Sequence, residues 1–521
     1  MSADRPGVPR RSLLWPWLVV GLALIALRLP YLRGPLTDPH SWRQCDTVHT
    51  ALDFYRRGFD LLHPRVDWLG GHRTLLLNFP LSEAMSAALY RAFGPDPMWD
   101  RLVSLFFCLV STAYVGATAR YLAGERVGRL ATLASLAIPL SQYFSRVPHI
   151  EYAVIAGVNG TFYHAMRAYD ESSTRHALYG AMCGLVAGLV KGPYLATVGL
   201  PLFAVLLRAP SPARLVRALV PFVVAIVAFE LWRHHVDRVN ATVPDWTFLP
   251  EFYKEVNPLW RYLGSWGERQ MPEHWITIAH RLVYDLATPI GVFIAAAAVW
   301  WRPPDGVPTG RTTLDPRVVA IAWYANCLIH VVVFFHLNWW HNYYQMPFIA
   351  PTAMLVALGT DGLWARLPKP KGVPLGAVVF AAFLAMAVWV PYRLHWGGVD
   401  WLRIEAGKVI ATQVPANELV VASDYSTWPP TDPRLLFRAD RDGWPVRWYD
   451  LNADRLNRLR AYGARWVVVI TDPGHPDTKV PAFLETARVA TLPVLHEGHP
   501  MGTVNVFDLK LPYAGRMEVA R

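Results

Sequence analysis

Charge is scarce in this sequence. Asp, Glu, Lys and Arg supply 17% of its 521 residues, where a soluble domain carries about 25%. With 53% hydrophobic residues and a mean hydropathy of +0.21, the chain does not read as a soluble globular protein. Cysteine is scarcer still. Three of the four, Cys108, Cys183 and Cys327, fall inside apolar runs and leave Cys45 alone in a loop. That distribution excludes a disulfide framework and any cysteine spacing suited to zinc. Internal repeats are absent. The net charge of +11 is not gathered into a basic patch interleaved with aromatics, so nucleic acid is not an expected partner.

Long apolar runs and tryptophan are plentiful. A helix needs about 20 mostly apolar residues to cross a bilayer. Eleven segments qualify: 13–32, 100–122, 129–145, 152–168, 174–190, 193–209, 215–235, 284–301, 317–336, 345–365 and 373–393. The 23 Trp residues suit side chains that anchor at membrane interfaces. Arg10 and Arg11 stand before the first run as in a signal peptide. That run has no small-residue cleavage site and continues to Leu32, so it reads as a retained helix. The expected fold is a polytopic α-helical membrane protein of about 11 transmembrane helices with a small C-terminal α/β domain.

Basic residues give the direction. With a cytoplasmic N-terminus, the inner connections hold Arg5, Arg10, Arg11, Arg126, Arg129, Arg167, Arg175, Arg208, Arg214, Arg217, Arg302, Arg311, Arg317, Arg366, Lys369 and Lys371. The short outer connections hold only Arg146 and Lys191. Short loops rich in Lys and Arg stay inside, so 33–99, 236–283 and 394–521 are expected to face outward. The division is then a membrane domain over 1–393, including 33–99 as a first outer loop, and an extracytoplasmic domain over 394–521.

The first outer loop shows two amphipathic stripes, Val48, Ala51, Leu52 and Tyr55, then Leu81, Ala84, Met85, Ala88, Leu89 and Ala92. Their spacing predicts two helices lying along the membrane. In the last region, 419–422 and 466–470 read as buried strands, with 489–495 and 503–509 as further strands. Helical patterns cover 401–413 and 452–462, and Gly463 suits a helix end.

Polar residues gather at span ends. The stretch after the first run carries Asp38, His40, Arg43 and Asp46; the turn after the third carries Arg146, His149 and Glu151. Lys191 follows the fifth, and Trp339, Trp340, His341, Asn342, Tyr343 and Tyr344 follow the ninth. Ionisable groups beside lipid are costly and mark working sites. A carboxylate there can take a proton from an attacking hydroxyl, and cations can neutralise a leaving phosphate. Aromatics can hold a sugar ring or a lipid chain. Each residue also has a plainer use. Asp38 can cap a turn, Asp46 can start a surface helix, Glu151 can bridge to Arg146, and Lys191 can snorkel to the interface. Trp339 and Trp340 read as interfacial anchors, and Asp53, Asp60 and Asp67 as solvated. Glu230 has Arg233 at i+3.

Four landmarks carry a family resemblance: Asp38-Pro39-His40-Ser41-Trp42-Arg43-Gln44-Cys45-Asp46-Thr47; Phe79-Pro80-Leu81 followed by Leu89-Tyr90-Arg91-Ala92-Phe93-Gly94; Val190-Lys191-Gly192-Pro193; and His341-Asn342-Tyr343-Tyr344-Gln345-Met346-Pro347. In this order the chain resembles GT-C glycosyltransferases, in particular the group of the lipid A aminoarabinose transferase and the protein O-mannosyltransferases. The resemblance implies inverting transfer of a sugar from a polyprenyl-phosphate donor to a hydroxyl of a lipid, glycan or protein, at the outer face of a bacterial inner membrane. It implies Asp38 or Asp46 as base, Glu151 as a second acidic position, and Lys191 near the donor phosphate. His40, Arg43, Arg146, His149, His341, Tyr343 and Tyr344 are the accompanying binding candidates. Two departures stand out. Arg43-Gln44 occupies the register of an expected Asp-Glu pair, and Asn78 stands where a glutamate is expected. No cofactor is required by the sequence, and a divalent cation is left open because no spacing demands one. A transporter or lipid flippase, and a polysaccharide polymerase or ligase using a diphosphate-linked donor, are the competing readings. The former would show repeats and mid-membrane polar groups.

Overall fold

The computed structural model describes residues 15–208, 211–244, 262–301, 314–368, 370–393, 396–425 and 431–517. Of the inner-face cations, Arg5, Arg10, Arg11, Arg302, Arg311 and Lys369 lie outside the described residues. By its contacts the chain divides into two units. One comprises Met1–Gly34, Asp96–Trp232 and Leu259–Trp396; the other comprises Pro35–Pro95, Arg233–Pro258 and Gly397–Arg521.

The first unit is helical. Six helices among the described residues are long and apolar enough to cross a membrane: Met98–Ala123, Thr174–Leu206, Pro212–Asn240, Pro272–Trp300, Pro316–Val333 and Asn342–Arg366. Trp15–Tyr31 and Leu375–Pro391 are shorter apolar helices. Their outward residues, such as Leu178, Met182, Phe203, Val223, Ile226 and Phe293, are large, apolar and exposed, as a lipid-facing surface requires.

Proline accounts for much of the difference from eleven expected segments. The stretches 174–190 and 193–209 are joined: an α-helix to Lys191 passes through a 3-10 turn, Gly192–Val198, into helix Gly199–Leu206. Pro193 cannot continue the α-helical hydrogen bonding but suits the start of the tighter turn. The segment 129–145 is instead broken. Its helix Glu125–Ala137 stops at Ile138, whose ψ of 130° is what a following Pro139 favours, and restarts over Pro139–Phe144. Helix Glu151–Asp170 contains the 152–168 segment and is buried within the protein along nearly its whole length.

Backbones approach closely where side chains are absent. A Cβ on Gly184 would lie 2.3 Å from the Pro221 carbonyl oxygen, and one on Gly188 would lie 2.2 Å from that of Ala225. The i, i+4 pair lets helix Thr174–Lys191 rest against helix Pro212–Asn240 as small residues do in membrane packing.

The second unit holds a five-stranded sheet of order β2-β1-β3-β5-β4, with β1 Leu419–Ser423, β2 Gly443–Pro445, β3 Ala464–Thr471, β4 Arg488–His496 and β5 His499–Asp508. β1 is parallel to β2 and β3, while β5 runs antiparallel to β3 and β4. The four expected strands are present; β2, only three residues long, had no legible pattern. Helices Trp401–Gln413 and Ala453–Ala461 flank the sheet, and Gly463 takes φ 99° just past the second. The core of this sheet is not confined to the last region. Val66, Trp68, Leu69 and Leu75 of the first loop and Val243 pack with its strands. The two expected surface helices are Ser41–Arg57 and Leu81–Phe93.

Candidate functional site

In the helical unit, two helix ends carry a buried charge pair. Glu151 is the first residue of its helix and 1% exposed, and Lys191 is the last residue of the next. Lys191 Nζ donates to Glu151 Oε1 at 2.6 Å and to the Tyr194 hydroxyl at 3.3 Å. The ammonium also lies 3.8 Å from the Tyr344 ring centroid, 4.7 Å from that of Tyr194 and 5.4 Å from that of Tyr343. A cation ringed by aromatic faces is held by their quadrupoles, and with two donors spent on Glu151 and Tyr194 the ammonium keeps a third for an anion. Local structure explains the ring. The 3-10 turn after Lys191 projects Tyr194, and a second 3-10 turn, Asn342–Phe348, projects Tyr343 and Tyr344.

The histidines belong to the same cluster. His341 stacks on Tyr343 with centroids 5.0 Å apart, and His149 meets Tyr343 at 4.8 Å. The structure thus brings together His149, Glu151, Lys191, His341, Tyr343 and Tyr344. Arg146 stands elsewhere. Its guanidinium lies 3.4 Å from the Tyr31 ring centroid and donates to the Trp396 carbonyl at 2.9 Å. The bridge expected between Glu151 and Arg146 is therefore replaced by one to Lys191, whose side chain is 13% exposed. Trp339, read as an interfacial anchor, stacks on His274 at 3.7 Å.

In the second unit, Asp38 starts helix Ser41–Arg57. Its Oδ1 accepts from the Ser41 hydroxyl at 2.6 Å and from the Ser41 amide at 3.4 Å, a capping arrangement. The intervening His40 takes φ 65°. Asp46 is not a helix start; it lies inside the helix. Its Oδ1 accepts from Trp68 Nε1 at 3.1 Å and its Oδ2 faces Arg43 at 3.6 Å. Burial pushes its carboxyl up to about 6, against the opposing pull of Arg43 and the Trp68 bond. Arg43 in turn donates to Asn78 Oδ1 at 2.9 Å, so the neutral residue at the expected glutamate position still receives the guanidinium.

Two carboxylates were misjudged or missed. Asp67, expected to be solvated, is 2% exposed, with His49 Nδ1 at 3.7 Å. Burial, reinforced by Asp46 and Asp442, pushes its carboxyl well above the ordinary range, and burial draws His49 down to about 4. Asp285 is buried in a π-helical turn, Leu282–Ala287, beside Arg281. An acid inside an apolar run was the available signal. Among the described residues no three His, Cys, Asp or Glu side chains converge as a metal would require.

Comparison with solved structures places this architecture. ArnT from Cupriavidus metallidurans bound to undecaprenyl phosphate matches with a TM-score of 0.60 at 14% identity, over 94% of this chain and 98% of that one. The archaeal oligosaccharyltransferase AglB from Archaeoglobus fulgidus matches with a TM-score of 0.52 at 10% identity, over 87% of this chain and 69% of that one. Both are GT-C glycosyltransferases. The chain has the GT-C fold. The arabinofuranosyltransferase AftD from Mycobacteria shares it, with a TM-score of 0.51 at 14% identity over 98% of this chain and 40% of that longer one. The likeness is one of fold. No protein-family model matches the sequence, and no curated protein does. With its apolar helices and this fold, the chain is an integral membrane protein.

Proposed function

We propose that this protein is an inverting glycosyltransferase that moves a sugar from a polyprenyl-phosphate donor to a hydroxyl of a lipid, glycan or protein. The reaction takes place at the extracytoplasmic face of a bacterial inner membrane, with the N-terminus cytoplasmic and residues 394–521 outside. The observation that carries this reading is the Glu151–Lys191 pair ringed by Tyr194, Tyr343 and Tyr344, in a chain that matches ArnT bound to undecaprenyl phosphate along nearly its full length.

Lys191 is the donor-phosphate residue in this reading. Its ammonium neutralises the charge that grows on the leaving phosphate, and Glu151 holds it in place. His149, His341, Tyr343 and Tyr344 surround that group. Asp38 is the base. Its Oδ2 accepts no hydrogen bond among the described residues and its side chain is 44% exposed, whereas both Asp46 oxygens face partners. Asp46 is assigned to hold Arg43. As the acceptor oxygen bonds to the anomeric carbon, its proton passes to Asp38. The carbon–oxygen bond to phosphate breaks, and polyprenyl phosphate leaves with the electron pair. Attack opposite the leaving group inverts the centre.

Purified protein in detergent, given labelled polyprenyl-phosphate sugars and an extract of its own envelope, is expected to transfer label. Asp38→Asn should lower kcat by roughly 10²–10⁴-fold, the scale of general-base catalysis. Full activity in that variant would remove Asp38 as base. Transfer from diphosphate donors alone would replace the reading with a polymerase or ligase.

A further inference from the structure

We infer that Arg434, contributed by the region that carries the sheet, is a positioning residue for the Asp38 carboxylate. This rests on the assignment of Asp38 as base. Gly397 and Gly398 on one side and Arg434 on the other clamp Asp38 twice. Its backbone exchanges two hydrogen bonds with the 397–398 segment, Asp38 N to Gly398 O and Gly397 N to Asp38 O, each 2.8 Å. Its side chain is reached through Ser41. Arg434 Nη1 donates to the Ser41 hydroxyl at 3.4 Å, and that hydroxyl donates to Asp38 Oδ1 at 2.6 Å. The same nitrogen stands 3.9 Å from Asp38 Oδ1 and 3.9 Å from Asp400 Oδ2.

Arg434 is itself fixed. Its Nε and Nη2 form a fork onto Asp432, with Nη2 to Oδ2 at 2.6 Å and Nε to Oδ1 at 3.0 Å. Two-pronged pairing sets the plane of the guanidinium and so the direction of the remaining Nη1. Around it, Arg403 pairs with Asp400 and Asp424, and the Tyr425 hydroxyl donates to Asp400 at 2.7 Å. Asp38, Asp400, Asp424 and Asp432 thus share two guanidinium groups. Without Arg434, Asp38 loses the partner that orients its Ser41 hydrogen bond. A free Oδ2 aimed by a constrained Oδ1 is what a base needs, because small misplacements of a reacting group are expensive.

The test uses the full-length protein in the transfer assay with undecaprenyl-phosphate-linked sugars. Arg434→Gln is expected to lower kcat roughly 10- to 100-fold, with affinity for undecaprenyl phosphate unchanged and a melting midpoint lowered because the buried Asp432 loses its partner. Millimolar guanidinium should restore part of the rate. Combined with Asp38→Glu, its loss should be less than multiplicative, because both changes displace one carboxylate. If Arg434→Gln does not fold, Asp432→Asn, which frees the fork, should give the same loss confined to kcat. A wild-type kcat in the folded variant overturns the proposal, as does a fully multiplicative loss with Asp38→Glu. An active Asp38→Asn variant would instead show that the base itself was misassigned.

Discussion

Lys191 and Glu151 meet where neither charge has much water, so each depends on the other. Removing one partner of a buried pair leaves an uncompensated charge and costs about 3–5 kcal/mol. Lys191→Met should therefore lower both stability and transfer. Adding Glu151→Gln should recover most of the melting midpoint but none of the transfer. Recovery of both would mean that the pair is only structural. Asp67 makes a pH prediction. Its carboxyl and that of Asp46 hold protons more tightly in the fold than in the unfolded chain, so their contribution to stability falls as pH rises from 3.8, through about 6 for Asp46. His49, drawn from 6.5 to about 4, acts in the opposite sense over nearly the window of Asp46. Asp67→Asn should flatten the decline of the midpoint as pH rises from 3.8 and raise it at pH 8 by roughly 2–4 °C, the response to about 1 kcal/mol. Parallel pH curves for the two proteins would rule this out.

Helix Thr174–Lys191 ends in the lysine proposed to hold the donor phosphate, so its seating matters to the proposed chemistry. Gly188→Leu would drive a side chain into the Ala225 carbonyl, only 2.2 Å from where its Cβ must sit. Little folded protein should be recovered, whereas Leu178→Ala on the exposed face of the same helix should be tolerated. Comparable yields from both would contradict the packing. Periodicity and hydropathy made other elements legible: helices Ser41–Arg57 and Leu81–Phe93, four strands, and the aromatic turn after Trp340. Breaks inside runs were less legible, because Pro139 and Pro193 act through hydrogen-bond geometry rather than apolarity. The Glu151–Lys191 pairing was hidden for another reason. Both residues were visible at helix ends, but Arg146 is nearer in sequence, and only the fold decides which cation arrives. Arg434 was beyond reach, since nothing in Asp432-Pro433-Arg434 refers to a residue near the start of the chain.

At the scale of the molecule, the proposed orientation has its own test. Alkaline phosphatase fused after Met517 should be active, and fused after Arg126 inactive, because the enzyme matures only outside the cytoplasm. The reverse pattern would put the sheet on the wrong side of the membrane. The second unit also bears on how the protein is made. Gly70, at φ 53°, lies where any Cβ would come 2.0 Å from the Trp444 ring, and its amide donates to the Gly443 carbonyl at 2.8 Å. At about 5–20 residues per second, a ribosome needs roughly 20–75 s to travel from one of these partners to the other. Trp68, Leu69 and Leu75 must wait out that interval beyond their own helix-forming neighbours. A chain interrupted before residue 443 would leave them with nothing to settle against, which makes the early loop a natural client for whatever guards unfinished membrane proteins.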